Sequence, residues 1–192
     1  MKQNHDQFII KHMSPQDFFP LFGALYKKTF SRDHVFFADA HYDEVEKEKM
    51  KSLGQTFQHK LYLHLGLFTK DDQFVGFSFG VQESEESFYV ICSAVDESFQ
   101  KKGLYSMLLD EVIRFASDKG FQIIYGTHCA TNNAVLIPKL KKGFIINKME
   151  LSDSFGVILH LSYFTNPLRR KVLDYRAGHR KPDEELKNIF KF

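Results

Sequence analysis

Apolar and polar positions alternate with period two over residues 61–67, where Leu61, Leu63, Leu65 and Leu67 recur, and again over 75–81 with Val75, Phe77, Phe79 and Val81. Side chains two apart on a strand share a face, so each run predicts a strand with one buried side. The polar turn Lys70-Asp71-Asp72-Gln73 joins them as a hairpin. Phe88, Val90, Cys92 and Ala94 continue the same period after a second polar stretch and extend the meander to three strands. The period then changes. Leu104, Met107, Leu108, Val112, Phe115 and Ala116 lie at helical spacing with Glu111 among them, and Lys119-Gly120 supplies a stop. Beyond it, 121–125 reads as a buried strand, 132–141 as a short helix, and 144–149 and 157–164 as strands.

Upstream, Phe8, Ile9 and Ile10 suit a short first strand, and Ser14-Pro15-Gln16-Asp17 combines a capping hydroxyl, a first-turn proline and an acid three residues on. That predicts a helix with Phe18, Leu21, Phe22 and Leu25 on its apolar face and a kink or break at Pro20. Residues 31–41 hold no period and read as a loop, whereas Glu44/Lys47, Glu46/Lys49 and Glu48/Lys51 predict a solvated helix over 43–53. A helix between two strands of one sheet makes them parallel. The order therefore predicts an α/β (α+β) fold with a mixed, mostly antiparallel sheet of six to seven strands flanked by helices.

With 192 residues and 43% hydrophobic content, the chain is long enough for one full core. We expect a single domain over 1–165, with a basic helical extension over 166–192 either packed on it or trailing from it. A net charge of +2 demands neither a nucleic-acid nor a membrane partner. The two cysteines, Cys92 and Cys129, with no charged-then-apolar leader, point to a cytoplasmic protein. No metal-ligand spacing appears, so no metal is expected.

The candidate chemistry lies in residues 90–105, where a strand runs into a short turn that opens a helix. Unpaired N–H groups and the positive end of the dipole make a helix start an anion seat, Lys101 and Lys102 add charge, and Gly103 lets a phosphate approach the backbone. Gly103 lacks a following Lys-Ser/Thr, which excludes a nucleoside-triphosphate loop.

Gln100-x-x-Gly103 between strand and helix resembles motif A of the GNAT superfamily of N-acetyltransferases. The run Asn132-Asn133-Ala134-Val135-Leu136-Ile137-Pro138-Lys139-Leu140-Lys141-Lys142-Gly143-Phe144 resembles its motif B, and the likeness spans roughly residues 61–164. The resemblance implies acetyl-CoA as co-substrate and transfer of the acetyl group to a primary amine of a small molecule or peptide. It further implies that Ala94 and Val95 pair with the pantetheine arm, that Gln100, Lys101, Lys102, Gly103, Leu104 and Tyr105 cradle the pyrophosphate, and that Asn132 contacts the cofactor arm. Tyr105 replaces a usual small residue, and Lys139 stands where the family often has a tyrosine that protonates the departing thiolate.

For the base that must deprotonate the amine, the sequence offers Glu83, Glu85, Tyr89 and His128, with His128 preferred for its titration near neutrality. His34, Phe36, Phe37, His41 and Tyr42 are expected to wall the acceptor pocket. Two alternatives stay open: a CoA-binding module that has lost transfer, and a phosphate- or nucleic-acid-binding protein using the basic tail. A homodimer is among the expected partners.

Overall fold

The computed structural model describes residues 7–30, 43–55 and 59–191. Its elements run β1 (Phe8–His12), α1 (Pro15–Thr29), α2 (Glu44–Gln55), β2 (Tyr62–Thr69), β3 (Phe74–Gln82), β4 (Ser87–Val95), a 3-10 turn (Glu97–Phe99) and α3 (Leu104–Asp118). There follow β5 (Ile123–Cys129), α4 (Asn133–Lys141), β6 (Ile145–Ser152), β7 (Gly156–Phe164), α5 (Pro167–Arg176) and α6 (Glu184–Phe190). The strands form one seven-stranded sheet in the order β1-β2-β3-β4-β5-β7-β6, parallel only between β4 and β5. This is the mixed α/β architecture that the alternating pattern predicts.

One face of the sheet carries the main core. Leu63, Leu65, Leu67, Phe88, Val90, Ile124 and Leu161 pack there against Leu104, Leu108 and Val112 of α3 and Leu136 of α4. On the other face Phe18 and Leu25 of α1 bury Phe77 and Ala94. The α1 helix runs through Pro20 unbroken, capped by Ser14, whose Oγ accepts the Asp17 N–H at 3.2 Å. Glu111, the polar residue in the α3 stripe, contacts His12 of β1 and Arg114.

The simple alternation fails at two places. Between the pairs Leu67↔Gly76 and Phe68↔Phe74, Val75 is an extra residue on β3, and between Gly80↔Val90 and Phe79↔Cys92, Ile91 is extra on β4. A bulge moves the following residues to the opposite face. Val75 therefore joins the main core while Phe77 faces α1, and Phe88 and Val90 join the main core while Cys92 and Ala94 face α1. Each set, read from sequence as one face, is divided between two.

The C-terminal segment does not expose a bare basic face. Arg169 pairs with Glu86 at 2.9 Å, Arg170 with Asp174 at 2.9 Å, and Arg180 with Asp183 at 3.1 Å, while Leu186 is fully buried. Among the described residues no helix is long and apolar enough to cross a membrane.

Candidate active site

The turn between β4 and α3 is held by short-range bonds that leave its amides free. Asp96 caps the 3-10 turn by accepting the Ser98 N–H at 3.0 Å, and its carboxyl, paired with Lys28, is held below the usual range. Gln100 Nε2 donates to the Val95 carbonyl at 3.1 Å and pins the loop to the end of β4. Lys101 and Gly103 take left-handed conformations, with φ of 61° and 76°. Among the described residues, the N–H groups from 101 to 106 find no acceptor and stand as free donors at the start of α3. Tyr105 turns its ring against the main core rather than over the turn, and burial pushes its hydroxyl pKa up.

The strands beneath this turn part company. β4 and β5 pair only through Ser87↔Ile123, Phe88↔Ile124 and Tyr89↔Tyr125. Beyond Tyr89 the bulge at Ile91 bends β4 away, and a wedge opens between residues 90–95 and 126–129. At its base, on the α4 side, stand two buried basic nitrogens, Lys139 Nζ and His128 Nε2, and neither has a hydrogen-bond partner. A β-carbon on Gly126 would lie 2.9 Å from Lys139 Nζ, 3.1 Å from the Val90 carbonyl and 3.4 Å from His128 Nε2, so glycine is what lets the ammonium reach this place.

Lys139 is not the exposed helix lysine that its sequence position suggests by default: its side chain is 0% exposed, and Nζ lies 4.9 Å from the Phe144 ring centre. Burial lowers its pKa to about 7. His128 is lowered as well, since burial and then the Lys139 charge bring it to about 3. An imidazole so hard to protonate stays neutral at pH 7 and is a weak base.

On the α1 side of the sheet, a different set faces the same wedge. Tyr89 and Thr127 share a hydroxyl hydrogen bond of 3.1 Å across the point where the strands separate. The Tyr89 and Tyr125 rings stack with centres 4.9 Å apart, and Tyr125 stacks on His160 at 6.1 Å. His160 Nε2 lies 2.9 Å from Glu150 Oε2, within ion-pair range but off the line of a hydrogen bond. Burial, then the Glu83 carboxylate, raise the Tyr125 pKa.

Ala94 and Val95 lie on the wedge-forming stretch of β4, and Gln100, Lys101, Lys102, Gly103, Leu104 and Tyr105 form the turn and first helical residues. Asn132 is exposed at the start of α4, with no capping bond from its side chain. The structure thus assembles Tyr89, His128 and Lys139 around the base of the wedge and the loop residues at its mouth. His34, Phe36, Phe37, His41 and Tyr42 lie outside the described residues. Gly126, Thr127, Tyr125, His160 and Glu150 escaped the sequence reading. Alternation along 123–129 and 156–164 was the available signal, but only the insertion of β7 between β5 and β6 shows which residues meet. Both cysteines are free, and among the described residues no cluster of His, Cys, Asp and Glu has the makings of a metal site.

The model of the acetyltransferase (GNAT) family matches residues 24–144, more than half of the chain and all of the site just described from β4 to α4. The chain belongs to the GNAT family. No curated protein sequence matches it. Among solved structures, it is similar to a GCN5-related N-acetyltransferase from Kribbella flavida, with a TM-score of 0.60 and 14% identity over 83% of this chain and 98% of that one. It is also similar to the ribosomal-protein-S18-alanine N-acetyltransferase from Escherichia coli, at TM-score 0.57 and 18% identity over 82% and 93%. A GNAT acetyltransferase from Elizabethkingia anophelis with acetyl-CoA bound matches at TM-score 0.53 and 15% identity over 83% and 99%. Such identities show a shared GNAT fold.

Proposed function

We propose that this GNAT protein transfers an acetyl group from acetyl-CoA to a primary amine in the cytoplasm. The observation that carries the reading is the wedge between β4 and β5, with free amides at its mouth and an unpartnered buried ammonium at its base. Amides of the loop from Lys101 to Tyr105, in the turn that Gln100 anchors, would hold the pyrophosphate beside the Lys101 and Lys102 side chains, with the dipole of α3 behind them. Ala94 and Val95 offer the β4 edge to the pantetheine arm, and Asn132 stands across the mouth. These residues suit acetyl-CoA because the turn has donors to spare and the strand edge has no partner on the β5 side.

Acetyl-CoA supplies an activated thioester. Lys139 donates its proton as the carbon–sulfur bond breaks, so the leaving sulfur departs as a thiol and the lysine is left neutral, to be reprotonated from solvent between turnovers. A thiol titrates near 8.5, so an ammonium near 7 is a competent donor. Tyr89 and Thr127, each able to donate and accept, relay to solvent water the proton that the attacking amine must lose, while His128 stays neutral beside Lys139 and adds no charge to it.

The test is thiol release from acetyl-CoA with a panel of primary amines, amino acids and short peptides. Amine-dependent release that falls in Lys139→Met supports the reading. Tight acetyl-CoA binding without turnover on any acceptor supports instead a binding module.

A further inference from the structure

The shelf on the α1 side of the wedge carries information about the acceptor. Three half-buried rings, Tyr89, Tyr125 and His160, run across β4, β5 and β7 with successive centres 4.9 and 6.1 Å apart. Carboxylates flank the middle ring. Glu150 holds the far side through His160 and is also paired with Lys148, while Glu83, exposed just after β3, places negative charge near Tyr125. Among the described residues, Glu83 forms no ion pair, although both it and Glu150 impose negative charge on Tyr125.

Aromatic faces and an unneutralised carboxylate attract an organic cation, and more strongly where water is partly excluded. The shelf is more than acidic surface because of its place. It adjoins the wedge whose other side holds the unpartnered, fully buried Nζ of Lys139, and the Tyr89–Thr127 hydrogen bond marks the border between them.

Resting on the acetyl-transfer reading, the geometry points to an acceptor that is a primary amine carrying a second cationic group: one nitrogen enters the wedge at Thr127 and is acetylated, while the other remains protonated over Tyr125, between Glu83 and Glu150. Thr127 and Tyr125 are two residues apart on β5, about 7 Å along the strand, which is the reach of an extended four-carbon diamine. A monoamine of equal length fills the same space but leaves Glu83 without a cationic partner.

The experiment compares 1,4-diaminobutane with n-butylamine on the full chain, reading dissociation constants by calorimetry with the chain saturated with CoA and, in separate samples, KM by thiol release from acetyl-CoA. The diamine is expected to bind at least about tenfold more tightly, an advantage that shrinks as salt rises and collapses toward unity in Glu83→Gln combined with Glu150→Gln. Equal affinity for the two amines, binding of neither, or a preference that survives the double substitution would overturn the cation shelf. Acetyl-CoA-induced thermal stabilisation, measured on the same protein free of CoA, separates the two levels. If it persists without a diamine preference, only the shelf fails; if it is absent, the transfer reading fails.

Discussion

The Nζ of Lys139 rests over Gly126, where a β-carbon on residue 126 would stand 2.9 Å away. A helix residue and a strand residue thus share one small space at the base of the β4–β5 wedge, and the chemistry proposed for the protein depends on that space being free.

The first consequence concerns pH. Lys139, lowered to about 7, is an acid only while protonated, so kcat should fall on the alkaline side with a limb near pH 7 that belongs to this residue. Lys139→Tyr should move that limb upward toward about 10, the ordinary range of a phenol. Lys139→Met should erase it and lower kcat by roughly 10- to 100-fold, at the low end of general-acid effects because a thiolate leaves readily. Rate–pH profiles of the three proteins at saturating acetyl-CoA decide this; an alkaline limb that stays put in all three removes Lys139 from the proton transfer.

Stability should respond in the opposite sense. The folded-state pKa of Lys139 lies below its unfolded value, so between about pH 7 and 10.4 the unfolded chain binds the extra proton and stability rises with pH through this group. Below pH 7 the charge is buried without a partner and the fold bears its full cost. Lys139→Met should therefore stabilise the protein at pH 6 by roughly 1–4 kcal/mol, with the gain shrinking toward pH 10. Urea denaturation at both pH values measures it.

Gly126→Ala tests the space itself. The added carbon presses on the Lys139 amine, the Val90 carbonyl and His128, of which only the amine is the end of a flexible chain. The variant should lose about tenfold in kcat while keeping its affinity for acetyl-CoA, because the substitution is at the base of the wedge and the pyrophosphate seat is at its mouth. Calorimetry with acetyl-CoA, set against steady-state rates, separates the two effects.

Much of this architecture is legible in one dimension. The leucines of β2 and the apolar stripe of α3 announce their elements because their periods are long and regular, and Ser14-Pro15 marks the start of α1 by capping chemistry alone. The bulges at Val75 and Ile91 are not legible, since one inserted residue leaves local composition unchanged while exchanging the faces of everything after it. Lys139 is hidden for a different reason. A lysine on a short helix is ordinarily solvated, and only the packing of α4 over Gly126 and Phe144 shows its charge enclosed. The ring row from Tyr89 through Tyr125 to His160 depends on β7 lying between β5 and β6, a choice of pairing that no local pattern encodes.

The central claim is that acetyl-CoA sits in the wedge with its pyrophosphate on the amides around Gly103. Gly103 holds a φ of 76°, so Gly103→Val both strains the turn and places a side chain among those donors. The most direct measurement is unfolding with and without acetyl-CoA at a hundred times its dissociation constant, for the native chain and for this variant. The account predicts about 2.7 kcal/mol of stabilisation for the native protein and almost none for Gly103→Val. An equal stabilisation of both would contradict it.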